Sequence, residues 1–214
     1  GTGYTHLHEF AGGVDDGAYP MGDLTRIGEV FYGMTTQGGA NNLGTVFRVN
    51  AEGTGHTNLH SFAGYPHDGA GPPGSLTLDG STLYGMTQQG GTNPKKLGTV
   101  FRMRTDGSDY SVLHSFGGGA GDGATPLGSL TLANGALYGM TSVGGASNYC
   151  VLFRLNTDGT GYTNVHTFTV SPGDGSGPRG SLVLEGATLY GMTYYGGTGN
   201  KGVMFALTGL PESP

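Results

Sequence analysis

One supersecondary unit is written four times along this chain. The tetrapeptide Tyr-Gly-Met-Thr starts at Tyr32, Tyr84, Tyr138 and Tyr190, at intervals of 52, 54 and 52. A histidine in L/V-H-x-F recurs at His8, His60, His114 and His166 with the same intervals. Asp-Gly-Ala/Ser starts at Asp16, Asp68, Asp122 and Asp174. Paired glycines follow each Tyr-Gly-Met-Thr, and a phenylalanine recurs at Phe47, Phe101, Phe153 and Phe205. A chain of this kind buries apolar faces between neighbouring copies, because one copy is too small to hold a core alone.

Each unit reads as four short strands. In the second they are Gly74 to Leu78, Thr82 to Thr87, Gly98 to Met103 and Tyr110 to Phe116. β-Branched and aromatic residues alternate with small polar ones there, and Asp79-Gly80 and Asp106-Gly107 supply tight turns. Four strands in roughly 50 residues are the mark of a propeller blade. Composition agrees, since 46 of 214 residues are Gly. That much glycine disfavours helices, and without a period of three it excludes collagen. The low charge and 12 Tyr with 9 Phe speak against disorder.

The expected fold is therefore all-β: a four-bladed β-propeller with four antiparallel strands per blade, spanning residues 1–214 as one domain. The repeats run approximately 22–62, 74–116, 128–168 and 180–208. The N-terminal strand, residues 4–10, is a fourth strand by pattern, while the last unit ends on a third. The expectation is that 4–10 closes the last blade and removes two sheet edges. A fragment of a longer array is the alternative.

The same residues resemble known repeats. Tyr84, Gly90-Gly91 and Phe101, leading into a fourth strand, are laid out like a kelch motif, although kelch units carry a Trp and this chain has none. The GloVer-type tandem repeat of bacterial secreted and surface-anchored proteins is more similar. Its pattern G-T-V-F…L-H-S-F…D-G-A-x-P-x-G-S-L…L-Y-G-M-T is met from Gly98 to Thr141. The resemblance covers essentially the whole chain and implies a propeller in an extracellular or cell-surface setting. It implies no catalytic residues.

Residues present in all four units are read as structure. The repeated His lies on the outermost strand, so four of them cannot converge on one metal; packing between blades with a backbone hydrogen bond is expected instead. The repeated Asp offers one dependable carboxylate per loop, where calcium takes 6–8 oxygens. A turn-capping role is expected, with no metal and no cofactor. Residues that break the repeat are left for function, and they fall in the long loops on one face: Tyr19, Tyr65, His67, Tyr149, Arg179, Tyr194 and Tyr195, with Asp15 and Lys95-Lys96 nearby. Exposed Tyr among Gly, Asn and Gln suits a glycan, with rings stacking on sugar C–H faces and amides bonding hydroxyls. The competing reading is that these tyrosines only cover the blade ends. Arg26 stands where the other units have Leu78, Leu132 and Leu184, and is a candidate for the axial channel, holding an anion or a neighbouring carboxylate.

A net charge of −6 with only 9 Lys+Arg argues against nucleic acid. No apolar run reaches the ~20 residues of a membrane span. The single Cys150 excludes an intrachain disulfide framework. Tyr149-Cys150 invites comparison with crosslinked copper oxidases, but strand neighbours point to opposite faces. No leader is visible at Gly1, which fits a processed form, an excised piece or a cytosolic protein. Three functions remain open: a non-catalytic secreted module binding a glycan or surface polymer, a structural subunit that self-associates through its terminal strand, and a carbohydrate-active enzyme using Asp15, Asp16, His67 or Asp68 as acid or base.

Overall fold

The computed structural model describes residues 3–169, 171 and 173–210. Among them there is no helix, and every strand pair is antiparallel. In the first unit Gly17–Ile27, Val30–Gly38, Thr45–Asn50 and Thr57–Ser61 lie side by side in chain order. The second unit repeats this with Thr77–Asp79, Thr82–Thr87, Thr99–Arg104 and Ser111–Ser115. In the third, Thr131–Ala133, Ala136–Gly144, Cys150–Asn156 and Thr163–Phe168 do the same.

The first strand of each unit starts earlier than its alternation suggests. Gly69–Ala70 already pairs with Gln89–Gly90, and the ladder resumes at Thr77. Pro72 and Pro73 lie in the gap, where they have no N–H to donate. In the first unit the same interruption is a register shift between Met21 and Thr25.

The fourth unit differs. Val183–Glu185, Thr188–Thr193 and Val203–Leu207 form a sheet of three strands. Residues 4–10 form no strand, so the expected closing of this sheet by the N-terminal segment is not in place. That segment lies against the first unit instead: Phe10 packs edge-on against Phe47 with ring centroids 5.1 Å apart, and His8 stacks on His56 at 3.7 Å.

The core is a series of seams between units. Tyr32, Met34, Val46 and Phe62 of the first unit meet Leu76, Leu83, Phe101 and Met103 of the second. Tyr84, Met86, Val100 and Phe116 meet Leu130, Leu137, Phe153 and Leu155. Tyr138, Met140, Leu152 and Phe168 meet Leu182 and Leu189. Each fully buried side chain of this size contributes about 1.5–3 kcal/mol.

The first strands also clasp one another. Thr25, Thr77 and Thr131 donate through Oγ1 to the carbonyls of Leu76, Leu130 and Leu182 at 2.6, 2.6 and 2.7 Å. The backbone N–H groups of Asp23, Ser75 and Ser129 donate to the hydroxyls of Ser75, Ser129 and Ser181. Backbones come so close here that a Cβ on Gly74 would sit 2.4 Å from the Gly128 carbonyl oxygen, and one on Gly128 2.2 Å from that of Gly180. The repeated P-x-G is thus a contact between units.

Candidate functional site

The repeated His and Asp belong together. His60 Nε2 lies 3.0 Å from Asp68, His114 Nε2 3.0 Å from Asp122 and His166 Nε2 3.2 Å from Asp174. The partner expected for this His was backbone; it is the carboxylate eight residues on. Each Asp also accepts backbone N–H groups, as Asp68 does from Ala63 and Gly69, so it caps the loop as its sequence position suggests. The neighbouring unit completes the arrangement: His60 stacks on Tyr110, and the Tyr110 hydroxyl donates to Asp68. His114 stacks on Tyr162 in the same way. Burial alone would raise the Asp68 carboxyl, but hydrogen bonds from His60, Tyr110 and Ala63 hold it below the ordinary carboxylate value. Burial and the adjacent carboxylate push the Tyr110 phenol upward, so it stays protonated as a donor.

The first unit has His56 where the others have Tyr110 and Tyr162. His8, Asp16 and His56 therefore bring three potential ligand atoms within 4.8 Å of one another. Their geometry is that of a seam. The two imidazoles are parallel within 5° and 3.7 Å apart, so in-plane lone pairs do not converge on one ion. His56 Nε2 lies 3.6 Å from Asp16 and has no hydrogen-bond partner.

The long-loop tyrosines are exposed, and the structure gathers only some of them. Tyr194 and Tyr195 meet edge to face at 4.6 Å, and the Arg179 guanidinium lies 4.3 Å over the Tyr194 ring. Thr193, Tyr194, Tyr195, Asn200 and Lys201 line one cleft. Tyr194 and Tyr195 stand where other units have Thr36-Gln37, Gln88-Gln89 and Ser142-Val143. Those residues line clefts too: Thr36, Gln37 and Asn42 face Gln88 and Gln89 across one, and Gln88 and Gln89 share another with Lys95 and Lys96. Gln37 and Gln89 stand at the same place in their units, just past Tyr-Gly-Met-Thr, and both are exposed.

The other candidates stand apart. No ring contact or hydrogen bond joins Tyr19, Tyr65, His67 or Tyr149 to the Arg179 group among the described residues. Tyr19 has φ 56°, at a position where the second and fourth units carry Gly71 and Gly177. Such a backbone is costly for a bulky residue. Its carbonyl is anchored by the Thr36 hydroxyl at 3.1 Å. Tyr65 and His67 are exposed in the loop before Asp68. Tyr149 takes the place of Leu43 and Leu97, half-buried residues that pack against the buried seams.

Arg26 binds within its own hairpin. Its Nε donates to the Gly28 carbonyl at 2.7 Å and Nη2 lies 2.9 Å from Glu29 Oε1. Cys150 is buried, and burial pushes its thiol up to about 12, which keeps it from acting as a thiolate. Tyr149 beside it is exposed, so the two side chains part as strand neighbours do. No helix of the described residues is long and apolar enough to cross a membrane.

Residues 1–208 match the family model of the Gloeobacter/Verrucomicrobia repeat, and the chain belongs to that family. No curated protein matches it. Among solved structures it is similar to a chain in the crystal structure of a nidogen/laminin complex, with TM-score 0.54, 17% identity and 90% of this chain against 65% of that one. A putative 6-phosphogluconolactonase from Bacteroides uniformis gives 0.52 and 15%, covering 92% of this chain and 55% of that one. A putative TolB from Agrobacterium tumefaciens gives 0.50 and 12%, covering 85% and 63%. The likeness shows a propeller-like fold, and the chain spans less than two thirds of the length of these proteins.

Proposed function

We propose that this member of the Gloeobacter/Verrucomicrobia repeat family is a non-catalytic carbohydrate-binding module, built of four propeller blades and working outside the cell or at its surface. One observation carries the reading: Tyr194 and Tyr195 form an exposed edge-to-face aromatic pair, with Arg179 against the Tyr194 ring, where the other units have Thr36-Gln37, Gln88-Gln89 and Ser142-Val143. The cation braces the Tyr194 ring, and Asn200 and Lys201 sit beside it with donors for hydroxyl groups. The amide-lined clefts along the same strand ends extend the surface over which a chain of sugars would lie. Commitment of Asp16, Asp68, Asp122 and Asp174 to backbone N–H groups favours binding over acid–base chemistry. The test is a glycan array probed with the parent, Tyr194→Ala and Tyr195→Ala. Loss of about 1.4 kcal/mol of stacking would weaken binding tenfold. Glycan retention unchanged in both variants, or no retained glycan at all, overturns the reading.

A further inference from the structure

The three internal seams share one plan, and the third lacks the ring from the next unit's fourth strand on which His60 and His114 stack. The tail face of one unit, carrying the Met of Tyr-Gly-Met-Thr and the aliphatic residue before the repeated Phe, meets the head face of the next, carrying the first-strand Leu. Half of such a seam lies open at each end of the described structure. On the fourth unit Met192 and Met204 are 66% and 73% exposed, whereas Met34 and Val46 of the first are 2% and 0%. On the first unit Leu24 is 54% exposed, whereas Leu76 of the second is 5%. A Cβ on Gly180 would meet nothing within 4 Å, although its counterparts Gly22, Gly74 and Gly128 abut the next unit's backbone. The free edge of Val203–Leu207 borders a groove lined by His166, Phe168, Phe205 and Leu207.

The missing strand is already placed on the opposite end. His8 stacks on His56 at 3.7 Å as His60 does on Tyr110 at 3.7 Å. Phe10 meets Phe47 at 5.1 Å as Phe62 meets Phe101 at 5.3 Å. Residues 4–10 thus lie on the first unit as the fourth strand of a preceding unit would, with Tyr4 and Leu7 exposed.

We propose that the fourth unit of one copy receives the first unit of a second copy, head to tail, with residues 4–10 of that second copy completing the sheet on Val203–Leu207. The occupant is a second copy because each group open on the tail has its repeat partner open on the head, and among the described residues the head does not cover the tail. Main-chain hydrogen bonds along a free edge and a buried apolar face supply the affinity. The register follows from the first unit, where Val46, Phe47 and Arg48 face His60, Asn58 and Thr57. Met204 then faces His8, Phe205 faces His6 and Ala206 faces Thr5. The seam is heterologous, so copies add one after another into a ring or a filament.

Sedimentation and crosslinking test this. The parent is expected to grow with concentration. Gly180→Val blocks the tail and Leu24→Lys blocks the head; both sites are open, so each variant keeps the circular dichroism and thermal unfolding of the dilute parent yet stays monomeric on concentration. Mixed together, the two form a one-to-one dimer and nothing larger, because one intact head and one intact tail remain. Thr5→Cys copies mixed with Ala206→Cys copies form a disulfide-linked dimer. A parent that is monomeric at every concentration, or a Thr5→Cys/Ala206→Cys chain that crosslinks only within itself, overturns the proposal.

Discussion

His60 and Tyr110 belong to different units, stack with ring centroids 3.7 Å apart, and both bond Asp68. Asp68 also accepts the N–H groups of Ala63 and Gly69, so one carboxylate ties a loop, its own outer strand and the next unit together. Removing it leaves several part-buried donors without an acceptor. Asp68→Ala is expected to cost about 3 kcal/mol or more, since each abandoned donor costs about 1–3 kcal/mol. Tyr110→Phe removes one donor and costs about 1 kcal/mol. In urea unfolding the double variant should be no worse than Asp68→Ala alone, because the tyrosine acts through that carboxylate; additive losses would refute the arrangement.

The same carboxylates set the acid limit. Asp16, Asp68, Asp122 and Asp174 are all held below the ordinary carboxylate value, each against the opposing pull of burial. A depressed folded value stabilises the fold fully above the unfolded value, about 3.9, and the contribution is lost as pH falls through the folded one. Stability should therefore be level in carboxylate terms down to about pH 4 and fall steeply below it. Asp68→Asn should flatten that acid limb in a pH series of thermal unfolding, while lowering stability at neutral pH.

His56 gives a second, milder pH response at the seam that holds residues 4–10. Burial and the neighbouring His8 lower its value, with Asp16 opposing. A docked His56 takes up a proton less readily than a free one. Acidification through about 6.5, the ordinary histidine value, thus favours release of the segment. His56→Tyr restores the residue of the other seams, whose hydroxyl reaches the carboxylate. NMR contacts between the rings at positions 8 and 56 should fade between pH 7 and 5 in the parent and change less in His56→Tyr.

Much of this architecture was legible because it is written four times. The strand positions Thr82–Thr87 and Thr99–Arg104 fall within a residue of the expectation from alternation and turn residues. Burial of Tyr84 and Phe101 follows from the same pattern. The His–Asp pair was not seen, although His8 and Asp16, His60 and Asp68, His114 and Asp122, and His166 and Asp174 all stand eight residues apart. Spacing across a loop carries no periodicity, and only the fold brings the two ends together. Where residues 4–10 dock was illegible for a different reason. They carry the contacts of a fourth strand both to a third strand within a sheet and to the next unit, and sequence alone does not rank the two. The Arg179–Tyr194 contact joins two loops and leaves no trace in either one's local pattern.

The glycines of the P-x-G segments make a contrast between like residues. Gly74→Ala drives a Cβ to 2.4 Å from the Gly128 carbonyl oxygen, a backbone atom that cannot rotate away. It should cost about 1–3 kcal/mol as overpacking. Gly180→Ala meets nothing within 4 Å and should leave the unfolding of a dilute chain unchanged. Equal losses at both positions would show that the two glycines serve backbone freedom rather than contact between units.

Val183 sets the strength of the open seam. Thr25, Thr77 and Thr131 each donate to a leucine carbonyl of the following unit, and Val183 is the fourth residue of that series. It has no hydroxyl, so a seam made with the first unit of another copy lacks the hydrogen bond that every internal seam has. That seam is accordingly weaker than the internal ones and opens without unfolding the units. Val183→Thr supplies the missing donor toward the Leu24 carbonyl of the neighbouring copy. A neutral hydrogen bond is worth about 0.5–1.5 kcal/mol net, so the association midpoint in sedimentation should move about two- to tenfold to lower concentration. The residue is 65% exposed in the single chain, so its thermal unfolding at low concentration should not change. An unchanged midpoint in Val183→Thr would mean that the first strands do not meet in the assembly.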